Sequence, residues 1–165
     1  MALSKITTES LLDGEITAAK FATGVGGKIL QLLSIKTNAA ITSSATSFTA
    51  TGLYLDITPA TTSSKIYATL NGGGAYNTTQ ANTTQRVTIY RASTNLGHAT
   101  YGLQRHSTPG GSHAISPHSL AVLDSPSSTS ELRYEVYFSN ADAAATVHFS
   151  TGDRGEVTLT VMEFA

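Results

Sequence analysis

Four histidines, His98, His106, His113 and His118, lie close together in the sequence. Imidazoles can ligate a metal ion or change charge between about pH 5 and 8. Their spacings match no compact ligand motif, and no carboxylate lies between the first and the last of them. We therefore predict no metal site and expect loop histidines that are solvated or hydrogen-bonded, although one imidazole from each of three chains could still meet at a threefold axis.

Other residue types that do chemistry are present without the spacing that chemistry needs. A serine hydrolase brings a serine, a histidine and an acid together, often at a Gly-x-Ser-x-Gly turn, and that turn is absent from the sequence. Glu131 and Glu135 would share one strand face, where a solvated or salt-bridged stripe is the ordinary interpretation. The glycine-rich residues 24–28 lack the frame of a phosphate loop. We therefore predict no catalytic residue, no enzymatic activity and no cofactor.

One loop has the composition of a recognition surface. Most of the seven tyrosines fall in predicted strands, where core or sheet surface is expected. Tyr76 instead lies in residues 71–84, a segment rich in Gly, Asn, Thr and Gln that we predict to be a long loop. Small polar residues with one aromatic are typical of adaptable binding loops. The candidate binding residues are Tyr76, Asn77, Gln80 and Asn82. A second long loop is predicted over residues 105–117.

Composition excludes several classes of protein. Ten basic and eleven acidic residues give a net charge of −1, so the chain lacks the electrostatic signature of a nucleic-acid partner. There is no cysteine, hence no disulfide framework or thiolate metal site. No apolar run is long enough for a membrane span, and we expect no membrane insertion. The 26 threonines and 19 serines suit sheet faces and turns, and few charges suit packing against neighbouring chains.

The pattern divides the chain into two parts. Residues 1–27 show no strand alternation and predict short helical turns separated by glycine-containing breaks. Their apolar residues are too few for an independent core, so this segment must pack on its own domain, on sister chains or on a larger partner. The apolar residues concerned are Leu3, Ile6, Leu11, Leu12, Ile16 and Phe21.

From residue 28 onwards the period is two, which is typical of strands. The predicted strands cover residues 28–37, 53–58, 66–70, 85–92, 96–103, 119–124, 131–138, 146–150 and 157–162. We expect the first, which is largely apolar, to be buried on both sides. Residues 153–156 are predicted to form a hairpin turn before the last strand. Eight or nine strands with turns between them favour an all-β antiparallel sandwich, jelly-roll-like, over residues 28–165. An immunoglobulin-like sandwich is less favoured, because a core Trp and a cysteine pair are absent.

Several phrases resemble those of bacteriophage virion proteins. Residues 1–6 followed by Leu-Asp-Gly-Glu-Ile-Thr-Ala-Ala-Lys-Phe at 12–21 are similar to the N-terminal element of tail-fibre and related proteins, of the type found in marine phages and cyanophages. The Lys-Ile-Leu-Gln at 28–31 resembles the opening strand of the β-domain in that family. The Ile-Thr-Pro at 57–59 and the Ser-Ser-Lys-Ile at 63–66 are similar to a further pair of its phrases.

The resemblance implies a virion structural protein, assembled in the host cytoplasm as a homotrimer. Residues 1–27 would anchor it to other virion proteins of the tail, the portal region or the capsid, and residues 28–165 would form a knob that contacts host surface glycans. Because no shaft separates the two parts, a short fibre or head fibre is favoured over a long tail fibre. The alternatives are a capsid decoration or cement protein that stabilises the shell, and a soluble carbohydrate-binding module.

Overall fold

A computed structural model describes residues 28–77, 83–108, 115–142 and 145–165, with backbone alone for Tyr76, Asn77 and Thr108. Within these ranges the protein is all-β, and no helix occurs. The strands are β1 Ile29–Thr37, β2 Ile41–Ser43, β3 Thr49–Ile57, β4 Lys65–Asn77, β5 Thr83–Arg91, β6 Thr94–Asn95, β7 Gln104–Thr108, β8 Ile115–Asp124, β9 Leu132–Asn140, β10 Val147–Ser150 and β11 Val157–Phe164. The helical turns and the anchor residues expected in 1–27 lie outside the described residues.

Two antiparallel sheets contain these strands. In sheet 1, the long strand β4 pairs with β8 along one side. Along its other side, β4 pairs first with β11 and then with β10. β11 in turn pairs with β1, and β10 pairs with β2. In sheet 2 the order is β3-β9-β5, with β6 and β7 both paired to β5. Three strand pairs, β1 with β2, β6 with β7 and β10 with β11, therefore lie end to end as interrupted strands.

Counting each interrupted strand once leaves eight positions. In chain order, sheet 1 then reads 1-8-3-6 and sheet 2 reads 2-7-4-5. This order, in which the chain repeatedly crosses between the sheets, is that of a jelly roll. The predicted all-β antiparallel sandwich is confirmed. The eleven described strands exceed the predicted eight or nine because short strands at β2, β6 and β7 were not recognised as such in the sequence.

Alternation predicted most of the core correctly. Tyr134, Val136 and Phe138 on β9 are fully or almost fully buried, and so are Val157, Leu159 and Val161 on β11. Ile66, Ala68 and Leu70 on β4 face Val87 and Ile89 on β5 through the same core, which joins the two sheets. Along β11 and most of β9 the inward residues come at every second position, as a half-buried sheet requires.

The first predicted strand has the right bounds and the wrong environment. β1 pairs with β11 alone, so it forms an edge of sheet 1 instead of a strand covered on both sides. Ile29, Leu32 and Ile35 are 50%, 59% and 39% exposed. An apolar run on an edge strand leaves unpaired backbone groups beside apolar side chains, a combination that favours pairing with another chain.

The predicted loop over residues 71–84 is wrong in its first half, because β4 continues to Asn77. A register shift between Gly72 and Ala75 lets the strand continue. Gly72 and Gly73 have φ of 89° and 62°, and a Cβ on Gly73 would overlap the Val157 side chain. These glycines therefore serve a bulge inside a strand. Likewise β7 and β8 occupy much of the predicted loop over residues 105–117.

Two further predictions are corrected by the pairing. Residues 96–103 are not a strand: after β6 the chain leaves the edge of β5 and returns at Leu103, with one bridge between His98 and Gly102. Residues 153–156 are not a hairpin turn, because β10 and β11 both pair with β4 and not with each other. In both cases a local break in alternation marks an excursion from an interrupted strand, which periodicity alone cannot distinguish from a turn.

Candidate functional site

Apart from Lys65, which lies in the next row beside Phe164, the outer face of sheet 1 carries almost no charge. Three rows of side chains cross β1, β11, β4 and β8 in register. The rows are Leu32, Met162, Tyr67 and Leu123; Ser34, Thr160, Thr69 and Ala121; and Lys36, Thr158, Asn71 and Ser119. Lys36, at one corner, is the only ionic residue among them, and its ammonium lies 2.8 Å from Glu156. We call these twelve residues the sheet-1 face.

An apolar row ends the sheet-1 face. Leu32 and Leu123, at its two edges, are 59% and 61% exposed. Met162 and Tyr67 lie between them and are half-buried. Next to this row, a shallow depression of about 270 Å³ is lined mainly by small polar residues, including Thr69 and Ser119. Apart from Lys36 at its corner, this contiguous face is uncharged and carries leucine, threonine and serine, which suits the core of an interface.

The outer face of sheet 2 is different, since it carries aromatic and charged side chains. Tyr90 on β5 stacks on Tyr137 of β9 with ring centroids 4.1 Å apart, and Phe48 meets Tyr90 edge-on at 6.3 Å. A groove of about 440 Å³ opens here. Its lining, which we call the aromatic groove, consists of Thr46, Ser47, Phe48, Arg86, Tyr90, Ala99 and Thr100.

Local structure explains the walls of the groove. One wall is the chain before β3, which contains Phe48. The other is the excursion of residues 97–102, which rests on Thr88 because Gly97 and Gly102 leave no room for a Cβ. Thr88 donates a hydrogen bond to the Asn95 carboxamide oxygen at 2.7 Å, which fixes the base of this excursion. Ala99 and Thr100 are thereby held opposite Phe48.

Arg86 brings a positive charge to the groove. It lies directly across from Arg105 in the β5–β7 register. No carboxylate of the residues that the structure describes forms a salt bridge with either, and the buried Nε of Arg86 has no hydrogen-bond partner among them. Arg105 instead lies over the Tyr101 ring at 4.8 Å. Like charges directly opposite one another in a sheet repel, which makes this end of the groove a favourable place for an anion.

The far end of the same face is already neutralised. Arg133 forms two hydrogen bonds with Asp56, at 2.9 and 3.0 Å, and lies 3.7 Å from the Tyr54 ring centroid. The hydrogen bond from Arg133 holds the pKa of Asp56 below its usual value despite a small opposing effect of burial. Arg133 is therefore occupied within its own chain, unlike Arg86.

The histidines do not behave as one group. His98 is exposed in the excursion, where its Nδ1 accepts hydrogen bonds from the backbone of Thr100 and Tyr101. The expectation of loop histidines is wrong for His106, which lies on β7, and for His118, which lies on β8 with 1% exposure. Its ring is 5.6 Å from that of His106 on β7. His113 lies outside the described residues. Among the residues described, no three His, Cys, Asp or Glu side chains come together as a metal site would require.

Burial explains the electrostatics of the histidine pair. Desolvation lowers the pKa of His118 to about 4, an effect that a hydrogen bond with the Phe149 carbonyl only partly opposes. Burial also lowers the pKa of His106. Both rings are therefore neutral at physiological pH, and they lie at the end of the sandwich where the core changes from Phe138 and Phe149 to polar side chains such as Gln85 and Asn140.

A partly buried ionic cluster ties the two sheets together. Asp124 on β8 accepts two hydrogen bonds from Arg91 on β5, at 2.7 and 2.8 Å, and one from the Tyr134 hydroxyl on β9 at 2.7 Å. Burial, together with the Asp124 hydrogen bond, raises the pKa of the Tyr134 hydroxyl far above its usual value. All three groups satisfy one another, so the cluster serves to join the sheets. Glu131 is exposed just before β9, and Glu135 is half-buried on β9, so the predicted shared strand face does not form.

The predicted binding residues are only partly placed. Tyr76 and Asn77 belong to β4, where they pair with His148 and Val147 of β10, and not to a loop. Gln80 and Asn82 lie outside the described residues, as do the predicted anchor residues Leu3, Ile6, Leu11, Leu12, Ile16 and Phe21. The binding and anchoring roles of these ten residues stay predictions.

The aromatic groove was not recognised from the sequence. In the sequence, Arg86, Thr88 and Tyr90 alternate with the apolar Val87 and Ile89. This alternation puts Arg86 and Tyr90 on the same outer face of a strand, and it was the one feature of the sequence that pointed to the groove. Phe48 and the excursion wall come from other parts of the chain, so only the fold brings them beside Tyr90.

No helix of the described residues has the length and apolar character needed to cross a membrane.

No family model and no curated protein matches the chain. Three of the solved structures it matches are infectious bursal disease virus Gt strain (10% identity, TM-score 0.39, 82% of this chain and 38% of that one), infectious bursal virus derived T=1 particles (13%, 0.38, 81% and 35%) and the VP2 subviral particle of infectious bursal disease virus (13%, 0.36, 81% and 40%). This chain spans less than half the length of those viral chains. Identities and TM-scores this low carry no argument about function or partners.

Proposed function

We propose that this chain is a non-enzymatic structural protein of a bacteriophage particle, located in the virion after assembly in the host cytoplasm. In this proposal it forms a homotrimeric short fibre or head fibre, attached to other virion proteins through residues 1–27. The sequence phrases at 1–6, 12–21 and 28–31 support the assignment to virion proteins. The observation that carries the assembly is the sheet-1 face.

The composition of the sheet-1 face supports contact with sister copies. Leu32 and Leu123 are more than half exposed at opposite edges of the same sheet. A partner without matching charges can cover the face without leaving a buried ionic group unpaired. Because identical copies carry this same surface, in which Lys36 alone is charged, they are suitable partners. β1 adds an open strand edge to one side of the face.

The size of the face indicates that it does not act alone. Four strands about 4.8 Å apart and three rows about 7 Å apart cover on the order of 400 Å². A stable interface usually takes about 800 Å² from each partner. The proposal therefore includes a contribution from residues 1–27, which precede β1 at the edge of the face. Once one of the three segments of a trimer has bound the particle, the other two are at high effective concentration there, so short apolar anchors suffice.

The proposal assigns no enzymatic activity. The absence of activity is supported by the hydrogen bonds that already engage the buried carboxylates. Asp124 accepts from Arg91 and Tyr134. Glu163 accepts from Gln31 and from the Ala60 backbone. Groups engaged in this way hold the fold together and are not poised for proton transfer to a substrate.

Two alternatives remain candidates because specific observations favour them. A capsid decoration or cement protein would use the same sheet-1 face to pack on a shell. A soluble carbohydrate-binding module is favoured by the aromatic groove, since aromatic faces beside polar groups suit sugars. The oligomeric state separates the second alternative from the proposal, because a binding module needs no sister copies.

The anchor is tested in a phage that encodes the chain. Purified particles carrying the full-length protein are compared with particles made with a variant lacking residues 1–27, and with a Lys65→Gln variant as control. We expect the truncated variant to be missing from particles and the control to be retained. Retention of the truncated variant at the full-length level would contradict the anchor.

The fibre and cement versions are separated by two measurements on the same particles. Substitution of Tyr76 and Asn77 by Ala should abolish adsorption to host cells if the protein is an adhesin. If it is a cement, adsorption should be unchanged, and removal of the protein should lower the temperature at which the shell opens. Loss of adsorption, together with an unchanged opening temperature of the shell, supports the fibre over the cement protein.

A further inference from the structure

We propose that the aromatic groove on sheet 2 binds an acidic sugar, a pyranose that carries a carboxylate. The groove combines the two elements that such a ligand needs, namely an aromatic surface and a cation. Tyr90 and Phe48 supply the surface, and Arg86 supplies the charge within the same lining. The inference does not depend on trimer formation, because every residue of the groove belongs to one chain.

The aromatic part of the groove is held rigidly. The Tyr90 ring stacks on that of Tyr137, with centroids 4.1 Å apart, and contacts the Phe48 ring edge-on at 6.3 Å. Rings that are already fixed lose little conformational entropy when a ligand packs on them. The C–H face of a pyranose packs well on such aromatic side chains, and Ser47 and Thr100 on the walls offer hydroxyls to its own hydroxyl groups.

The charged part of the groove lacks a partner within the described chain. Arg86 has Arg105 as its direct cross-strand neighbour and no carboxylate in a salt bridge. Arginine is suited to carboxylates because its planar guanidinium donates two parallel hydrogen bonds. A carboxylate beside Arg86 would form these bonds and would offset the repulsion from Arg105. A neutral sugar would leave this repulsion in place, which is why the groove favours an anion.

The remaining charges of sheet 2 do not oppose this assignment. Asp56 is engaged by Arg133, at the end of the face away from Arg86. Glu135 lies across from both Tyr90 and Tyr54, four residues along β9 from Ser139, the cross-strand partner of Arg86. Glu135 therefore sets a limit on the ligand, since a second anionic group directed towards it would be repelled.

The proposal is tested by ligand-observed NMR with the full-length protein. The probe is trigalacturonate, and the matched neutral probe is its fully methyl-esterified form, which keeps the rings and removes the charge. We expect trigalacturonate to bind, and the ester to bind at least about tenfold more weakly, since charge-assisted bonds are the strong ones. Raising the salt concentration should weaken binding of trigalacturonate alone. Absence of binding, or equal binding of both probes, would overturn the proposal.

Variants assign the binding to the groove. Arg86→Gln should reduce affinity for trigalacturonate at least about tenfold, whereas Lys65→Gln, which removes the same charge from sheet 1, should leave it within about twofold. Thr100→Asp serves as a second groove variant, because it places a negative charge on an exposed wall residue without disturbing the core, and it too should weaken binding. Unchanged affinity in both groove variants would overturn the assignment. The molar mass of each variant is measured alongside, so that loss of sugar binding is distinguished from loss of assembly.

Discussion

The buried histidine His118 predicts that the protein loses stability between pH 7 and pH 5. Its ring stacks on Phe149 at 4.6 Å, and its Nε2 lies 2.8 Å from the Phe149 carbonyl oxygen. A carbonyl can only accept, so Nε2 carries the hydrogen and Nδ1 is the unprotonated nitrogen. Nδ1 is buried and has no partner among the described residues. Protonation would therefore place an unpaired charge in the core.

The sign and size follow from the two states of the chain. The pKa of His118 is about 4 in the folded protein and about 6.5 when it is unfolded. Between these values the unfolded chain binds a proton that the folded chain does not, so stability falls as the pH falls. With 1.36 kcal/mol for each pKa unit, the free energy of unfolding should decrease by about 2 kcal/mol from pH 7 to pH 5. His106 and His148, whose pKa values burial also lowers, contribute with the same sign.

The assay is urea unfolding at pH 7 and pH 5, at one fixed protein concentration because association also affects stability. His118→Gln keeps a donor for the Phe149 carbonyl and removes the titrating group, so the pH effect should shrink by about 2 kcal/mol. His98→Gln, which removes an exposed imidazole, should keep the full effect. If the His118→Gln variant loses as much stability between pH 7 and pH 5 as the wild type, the reasoning is refuted.

Three further substitutions probe the parts that hold the sandwich together, each by urea unfolding at pH 7. Asp124→Ala leaves Arg91 without its counter-charge in the partly buried cluster and should cost about 3 kcal/mol; a cost below about 1 kcal/mol would mean that the cluster does not join the sheets. Glu163→Gln should cost about 2 kcal/mol, because the carboxylate accepts several hydrogen bonds. These bonds lower the pKa of Glu163 although burial opposes them, so the difference in unfolding free energy between wild type and variant should disappear as the pH falls below about 4.5. Gly73→Ala should cost about 2 kcal/mol or more, from positive φ and overlap with the Val157 side chain, and a stable variant would show that the bulge can relax.

Strand alternation predicted those parts of the fold that depend on local pattern. The alternating residues of β9 and β11 specified which side chains are buried, because the period of two is a property of each strand alone. The environment of β1 was mispredicted for the opposite reason. An apolar run is the same whether a strand is central or at an edge, and only the pairing of β1 with β11 alone decides between them.

The candidate sites were harder to predict, since they combine residues distant in sequence. Leu32 and Leu123 end one row of the sheet-1 face only because β1 and β8 are the two edges of one sheet. Phe48 and Tyr90 meet because β5 and the chain before β3 cross the same outer face. The tyrosine that the sequence singled out, Tyr76, was chosen for its glycine-rich neighbours, and those glycines belong to a strand bulge and not to a loop.

The most direct test of the central claim is the molar mass of the full-length protein in solution, measured by light scattering over a range of concentrations. We predict a mass of about three times the 17.2 kDa of one chain, and a return towards 17.2 kDa when Leu32 and Leu123 are both replaced by Glu. Lys65→Gln should leave the trimer intact. A single-chain mass for the wild type at every concentration, or an intact trimer in the double variant, would contradict assembly through the sheet-1 face.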